Sequence, residues 1–112
     1  MLGSQLFAIY KSEYERTIDT LGVAMTFKHS QGGATLNVMG GSRIAGDKDD
    51  GIIQSYGIGA LIFTLKARDF PTTPPIKFDQ ISIGTETHVI DHVSPVHINN
   101  STFGYRCFVR GK

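Results

Sequence analysis

Asp79–Pro95 reads DQISIGTETHVIDHVSP, three carboxylates and two histidines set in a run of β-branched and apolar residues. Successive side chains of an extended chain point to opposite faces, so Ile81 and Ile83 fall on one face of a strand. Gly84 supplies the permissive backbone a tight reversal needs, and the stretch reads as a hairpin closed around IGTE, with Thr87–Val93 as the return strand. Asp79, just before the first strand, suits an Asx-type cap on the preceding turn. Asp79, Ile81, Ile83 and Gly84 are thus structural residues, and the fold they begin is β.

The same residues invite two chemical readings, and neither converges. His88 and His92, four apart on one strand, would stand about 13 Å apart at ~3.3 Å per residue, too far to share an ion with metal–nitrogen bonds of about 2 Å. Asp91, His92 and Ser94 alternate between faces and cannot form a relay through neighbouring positions. Cys107, the only cysteine, sits in an apolar row and reads as a small buried hydrophobe. The YGIG of the central loop lacks the third glycine and the strand-loop-helix setting of a nucleotide fingerprint. We expect no catalytic residues, no metal and no cofactor.

Working outward, Val23, Met25 and Phe27 alternate with Ala24, Thr26 and Lys28 as in a half-buried strand, and HSQGG (His29–Gly33) is a turn before a second strand, Ala34–Met39. GGSRIAGDKDDGIIQSYGIG, Gly40–Gly59, carries six glycines and adjacent like charges, which predicts a long mobile loop. Ala60–Ala67 is the most apolar strand, with Leu61, Phe63 and Leu65 on one face. Pro71, Pro74 and Pro75 then break regular structure, and Phe103–Arg110 closes the chain as a strand. At the other end, Ser4–Leu21 carries a helical stripe through Leu6, Ile9 or Tyr10, Glu13 or Tyr14, Thr17 or Ile18 and Leu21, weakened by Glu13 and Thr17, with Ser4 as N-cap.

The whole is 112 residues, the size of a single domain, with a net charge of +1 that does not suit a protein gripping DNA through its phosphates. No apolar run approaches the ~20 residues needed to cross a bilayer, and the N-terminus lacks the order of a secretory signal. A soluble, unexported, small antiparallel β barrel or sandwich is expected, with a short N-terminal helix and a long mobile loop at 40–57.

In this order the features resemble the small head-tail joining (tail attachment, or head-closure) proteins of long-tailed bacteriophages, the family of phage lambda and related prophages. The hairpin carries the resemblance most specifically, through Asp79, the Ile-x-Ile-Gly of Ile81–Gly84 and the Val-x-Pro of Val93–Pro95. Leu6–Phe7, VAMTFKHSQGGATLNVMGG, LIFTLKARDF and RCFVRGK are similar to further elements over most of the chain. Pro71, Pro74 and Pro75 depart from it, standing where the family more often turns through a glycine.

The resemblance implies a virion protein, assembled in the host cytoplasm, that is monomeric when free. It would form a six-fold ring below the portal and its adaptor and above the tail tube or tail terminator, with DNA passing through unspecifically and no membrane involved. Residues 1–21 and the loop would order only on assembly. Leu6, Phe7, Ile9 and Tyr10 would then be apolar contacts, while Arg43, Lys48, Asp49, Asp50, Ile52 and Tyr56 would meet neighbours or line the lumen. The alternatives are another neck or tail component, such as a tail completion protein, and a small ligand-binding barrel.

Overall fold

A computed structural model describes residues 2–45, 51, 55–57, 59–98 and 101–111. The protein is mainly β. A helix, α1 (Leu2–Leu21), is followed by seven strands: β1 (Val23–Lys28), β2 (Leu36–Ile44), β3 (Leu61–Lys66), β4 (Gln80–Ile83), β5 (Glu86–Val89), β6 (His92–Ile98) and β7 (Ser101–Val109). All neighbours are antiparallel in one curled sheet ordered β5-β4-β1-β2-β3-β7-β6.

The curl is set where β2 changes partners. Leu36–Gly40 pairs with β1, and Gly41–Ile44 pairs with β3. A side chain on Gly40 would meet the ends of Leu65 and Met25 at 2.9 Å, so the bend lets core side chains press against bare backbone. The glycine pair read as the start of a loop is therefore the corner of a strand, and β2 runs five residues past Met39.

A second correction concerns the return strand of the hairpin. The chain leaves the β4 side at Ile90, whose N–H donates to the Asp79 carbonyl at 2.9 Å. It joins β7 one residue later, where the Asp91 N–H donates to the Phe108 carbonyl at 2.8 Å. Thr87–Val93 is thus two strands, β5 and β6, at opposite ends of the sheet, and this crossing draws the ends together. The turn at Gly84 is as expected: Ile83 pairs with Glu86, and Gly84 takes φ 61° at the first of the two loop positions, as a II′ hairpin requires.

Inside the curl, Met25, Phe27, Val38, Phe63, Leu65, Phe70, Ile81, Ile90, Cys107 and Val109 form the main core. Each fully buried large apolar side chain among them contributes about 1.5–3 kcal/mol relative to exposure. Phe70, beyond a 3-10 turn at Ala67–Asp69, closes one end with its ring edge-on to Phe27 at 4.8 Å. A smaller cluster of Ala45, Ala60, Ile62 and Phe108 lies on the other face of β3, covered by Tyr56.

Helix α1 already includes Leu2, so Ser4 lies inside its first turn and is not the N-cap. The helix ends at Gly22, whose N–H donates to the Ile18 carbonyl at 2.8 Å. A Cβ at Gly22 would meet the backbone oxygens of Ile18 and Gly40 at 2.4 and 2.8 Å, so only glycine lets the helix pass this close to β2 before β1 begins.

Candidate functional site

Helix α1 lies against the outer face of the sheet by one side only. Ile18 is buried, and Tyr14 donates its hydroxyl to the Leu65 carbonyl at 2.8 Å while its ring stands edge-on to Phe103 at 5.0 Å. The ring fills the space a side chain at Gly104 would need, since a Cβ there would come within 2.2 Å of the hydroxyl. Burial, then the neighbouring Cys107, pushes the Tyr14 phenol well above the ordinary tyrosine range.

Ionic contacts complete the attachment. Buried Lys66 donates to Asp19, Arg68 donates to Asp19 at 2.9 Å and reaches Glu15 at 3.5 Å, and Asp69 lies 3.8 Å from the Lys66 ammonium. The hydrogen bond from Lys66, then the charges of Lys66 and Arg68, hold the Asp19 carboxyl below the usual carboxylate range against a smaller opposing effect of desolvation. One oxygen each of Glu15 and Asp69 is buried without a hydrogen-bond partner among the described residues. The Arg68 arm of the latch is exposed and holds weakly, whereas the Lys66 arm sets a buried ammonium against a half-exposed carboxylate.

The opposite flank of α1 is open. Ile9, Tyr10 and Leu21 are 57%, 53% and 77% exposed. Between this flank and the sheet runs an apolar groove of about 740 Å³, whose lining includes Tyr10, Glu13, Leu21, Ile62, Val96 and Phe103. Of the expected contact residues, Tyr10 lines the groove, Ile9 is exposed on the helix, and the side chains of Leu6 and Phe7 lie outside the described part.

Arg43 is exposed on β2 and also lines the groove, on a strand instead of in a loop. Lys48, Asp49, Asp50 and Ile52 lie outside the described residues. Tyr56 is partly buried, its ring stacked on Phe108 at 5.3 Å with the Arg110 guanidinium 5.9 Å from its centre.

Asp79 is fully buried. Its carboxylate ties the preceding turn by accepting from the Ile76 N–H at 2.8 Å, three residues back instead of two on as an Asx turn would, and also accepts from the Ser30 N–H at 2.7 Å and His29 Nδ1 at 3.2 Å. It therefore pins the β1–β2 turn to the base of the β4–β5 hairpin. The four histidines of the chain stand apart. His29 is on Asp79, His88 against Phe63, His92 against Phe108, and His97 on the groove. Cys107 is buried in the core, and burial followed by the charge of Asp79 pushes its thiol up to about 12.

Sequence reasoning missed the outward display of Ile76 and Phe78, which precede β4 and are both exposed. It also missed the Asp19–Lys66–Arg68 latch, which joins residues 47 and 49 positions apart and leaves no local pattern. No protein-family profile matches the chain, and no curated protein matches it either.

Proposed function

We propose that the chain is a structural protein of the phage neck that joins the DNA-filled head to the tail and helps close the head. The observation that carries this reading is the open apolar groove beside α1, whose Ile9, Tyr10 and Leu21 are exposed. Exposed apolar surface of this extent suits a macromolecular neighbour that covers it. The resemblance of the aspartate-led hairpin supports the same role, and Asp79 has the structural part expected of it.

In this reading, copies form a ring between the portal adaptor above and the tail tube or terminator below. Weak contacts per copy are multiplied because each subunit is held at high effective concentration by its neighbours. A net charge of +1 suits a channel wall past which DNA slides without tight phosphate contacts. The groove's size also fits a small apolar ligand, so a ligand-binding barrel is the second reading; it requires a ligand-dependent rise in melting temperature.

The test mixes DNA-filled heads and free tails, both lacking this protein, with the purified chain and counts joined particles by electron microscopy. Wild-type chain is expected to restore joining. Ile9→Ser with Tyr10→Ser, two exposed positions, should keep the wild-type circular dichroism and reduce joining at least tenfold, roughly the effect of losing one interface anchor of about 1.4 kcal/mol. Failure of the wild-type chain to join, or full joining by the double variant, defeats the reading.

A further inference from the structure

Thr87–Asp91, a run of consecutive residues, lines a second groove of about 640 Å³. Successive side chains of a strand point to opposite faces, so a groove that meets every residue in turn runs along the edge of β5 and not over a face. Its far wall is Leu61 at the start of β3, with Val109 and Arg110 at the end of β7, which makes it the seam where the curled sheet does not close. Phe78 also lines the seam. It is 62% exposed and takes φ 77° in a turn whose Asp79 N–H donates to the Ile76 carbonyl, at a position that ordinarily takes glycine.

The backbone makes this edge more than an apolar slot. Both backbone groups of Ile90 face β4: its N–H donates to the Asp79 carbonyl at 2.9 Å, and its carbonyl accepts from the Phe78 N–H at 2.8 Å. Residues of an antiparallel pair alternate in this respect, so His88 and Glu86 also bond inward, while Thr87 and Val89 turn their N–H and C=O into the seam. Asp91 faces outward by the same rule, and its N–H already meets a strand, donating to the Phe108 carbonyl of β7 at 2.8 Å. Past that rung β5 is the end of the sheet, and no strand among the described residues pairs with its outer side. The opposite end is guarded: β6 carries Pro95, which has no N–H, and a register break between Val96 and His97.

We propose that the seam takes a single extended segment of another protein, which pairs with β5 as an added strand. The edge itself specifies that chemistry. An extended backbone supplies donors and acceptors alternating at the spacing of Thr87 and Val89, and the Asp91–Phe108 bond is the rung from which such a ladder continues. Val89, 48% exposed, and Phe78, with Leu61 and Val109, give apolar surface for alternate side chains of the guest. Walls on both sides suit one segment and not the edge of a second sheet, and they ask for no self-association of the free chain. Such pairing requires no place in a phage neck and is independent of the role proposed above.

The probe is the capped heptapeptide Lys-Thr-Val-Thr-Val-Thr-Lys, added to the full chain up to millimolar and followed residue by residue by proton-nitrogen NMR. In the free chain the Thr87 and Val89 amides should exchange rapidly with solvent. The peptide should shift both signals and slow their exchange, while the same peptide with every interior nitrogen methylated should do neither. Val89→Pro removes an outward donor at an edge position that proline tolerates and keeps the bonds between β4 and β5. It should weaken the response at Thr87 at least about tenfold, the effect of losing one backbone hydrogen bond and leaving its partner unpaired.

The proposal is overturned by Thr87 and Val89 amides already protected in the free chain, since its own residues would then fill the seam. It is overturned equally by no response to the peptide, by the same response to its methylated form, which would reveal apolar adhesion only, or by a response undiminished in Val89→Pro. If Val89→Pro does not fold, the methylated peptide decides alone.

Discussion

At Asp79 one buried carboxylate accepts from donors on two turns that lie far apart in the chain. Truncation to alanine takes the shared acceptor from three part-buried hydrogen bonds, so Asp79→Ala is expected to cost about 3–5 kcal/mol in urea unfolding. A loss near zero would show that the turns are held otherwise. The local half of this role was legible, because an aspartate before a strand suggests a turn cap. The bonds to His29 and Ser30 were not, since they depend on how the strands pair.

Cys107 offers a second prediction at the same scale. Its folded-state pKa is raised from 9.0 to about 12, so the folded chain holds the proton more tightly than the unfolded one. Its contribution to stability is complete below pH 9.0 and is lost as pH rises towards about 12. Stability should therefore decline across that window, and Cys107→Ala should flatten the decline despite lowering overall stability. The folded thiol should also resist aromatic disulfide reagents near neutral pH.

Among the elements, α1 rests on few contacts: Ile18, one tyrosine and an ionic latch whose Lys66 is buried and whose Arg68 is exposed. A depressed carboxylate pKa stabilises above the ordinary value of 3.8 and loses its effect as pH falls below it, so acid should loosen α1 while the sheet persists. Asp19→Asn should bring the same loosening to neutral pH, read as faster amide exchange in α1 alone. Gly104→Ala should act from the sheet side: the strand tolerates the methyl group, the Tyr14 ring is displaced, and the hydrogen bond to Leu65 is lost. Unchanged exchange in α1 would show that the latch and the ring are dispensable.

Period-two alternation identified β1, β3 and β7, and helical spacing identified α1, because those signals are local. The course of β2 through Gly40 and Gly41 was hidden, since glycine pairs usually mark loops and only the packing of Met25 and Leu65 turns this one into a corner. The break at Ile90–Asp91 was hidden too. Its residues continue the strand pattern, and only pairing with Asp79 on one side and Phe108 on the other separates β5 from β6.

Over the whole molecule, the curled sheet leaves its outer face in need of cover. Helix α1 and Tyr56 supply part of that cover, and the groove between helix and sheet is what remains. The small β fold with an N-terminal helix was legible in the sequence. The groove was not, because it is built from the helix flank and four strands whose order no single sequence specifies. A neck role places this open surface against neighbours above, below and beside each copy.

A cryo-electron microscopy reconstruction of the neck of a joined particle tests that role most directly. The account predicts a ring of copies of this curled sheet between the portal adaptor and the tail, with the α1 groove covered. Absence of the chain from the neck, or its presence there with the groove facing open solvent, would contradict it.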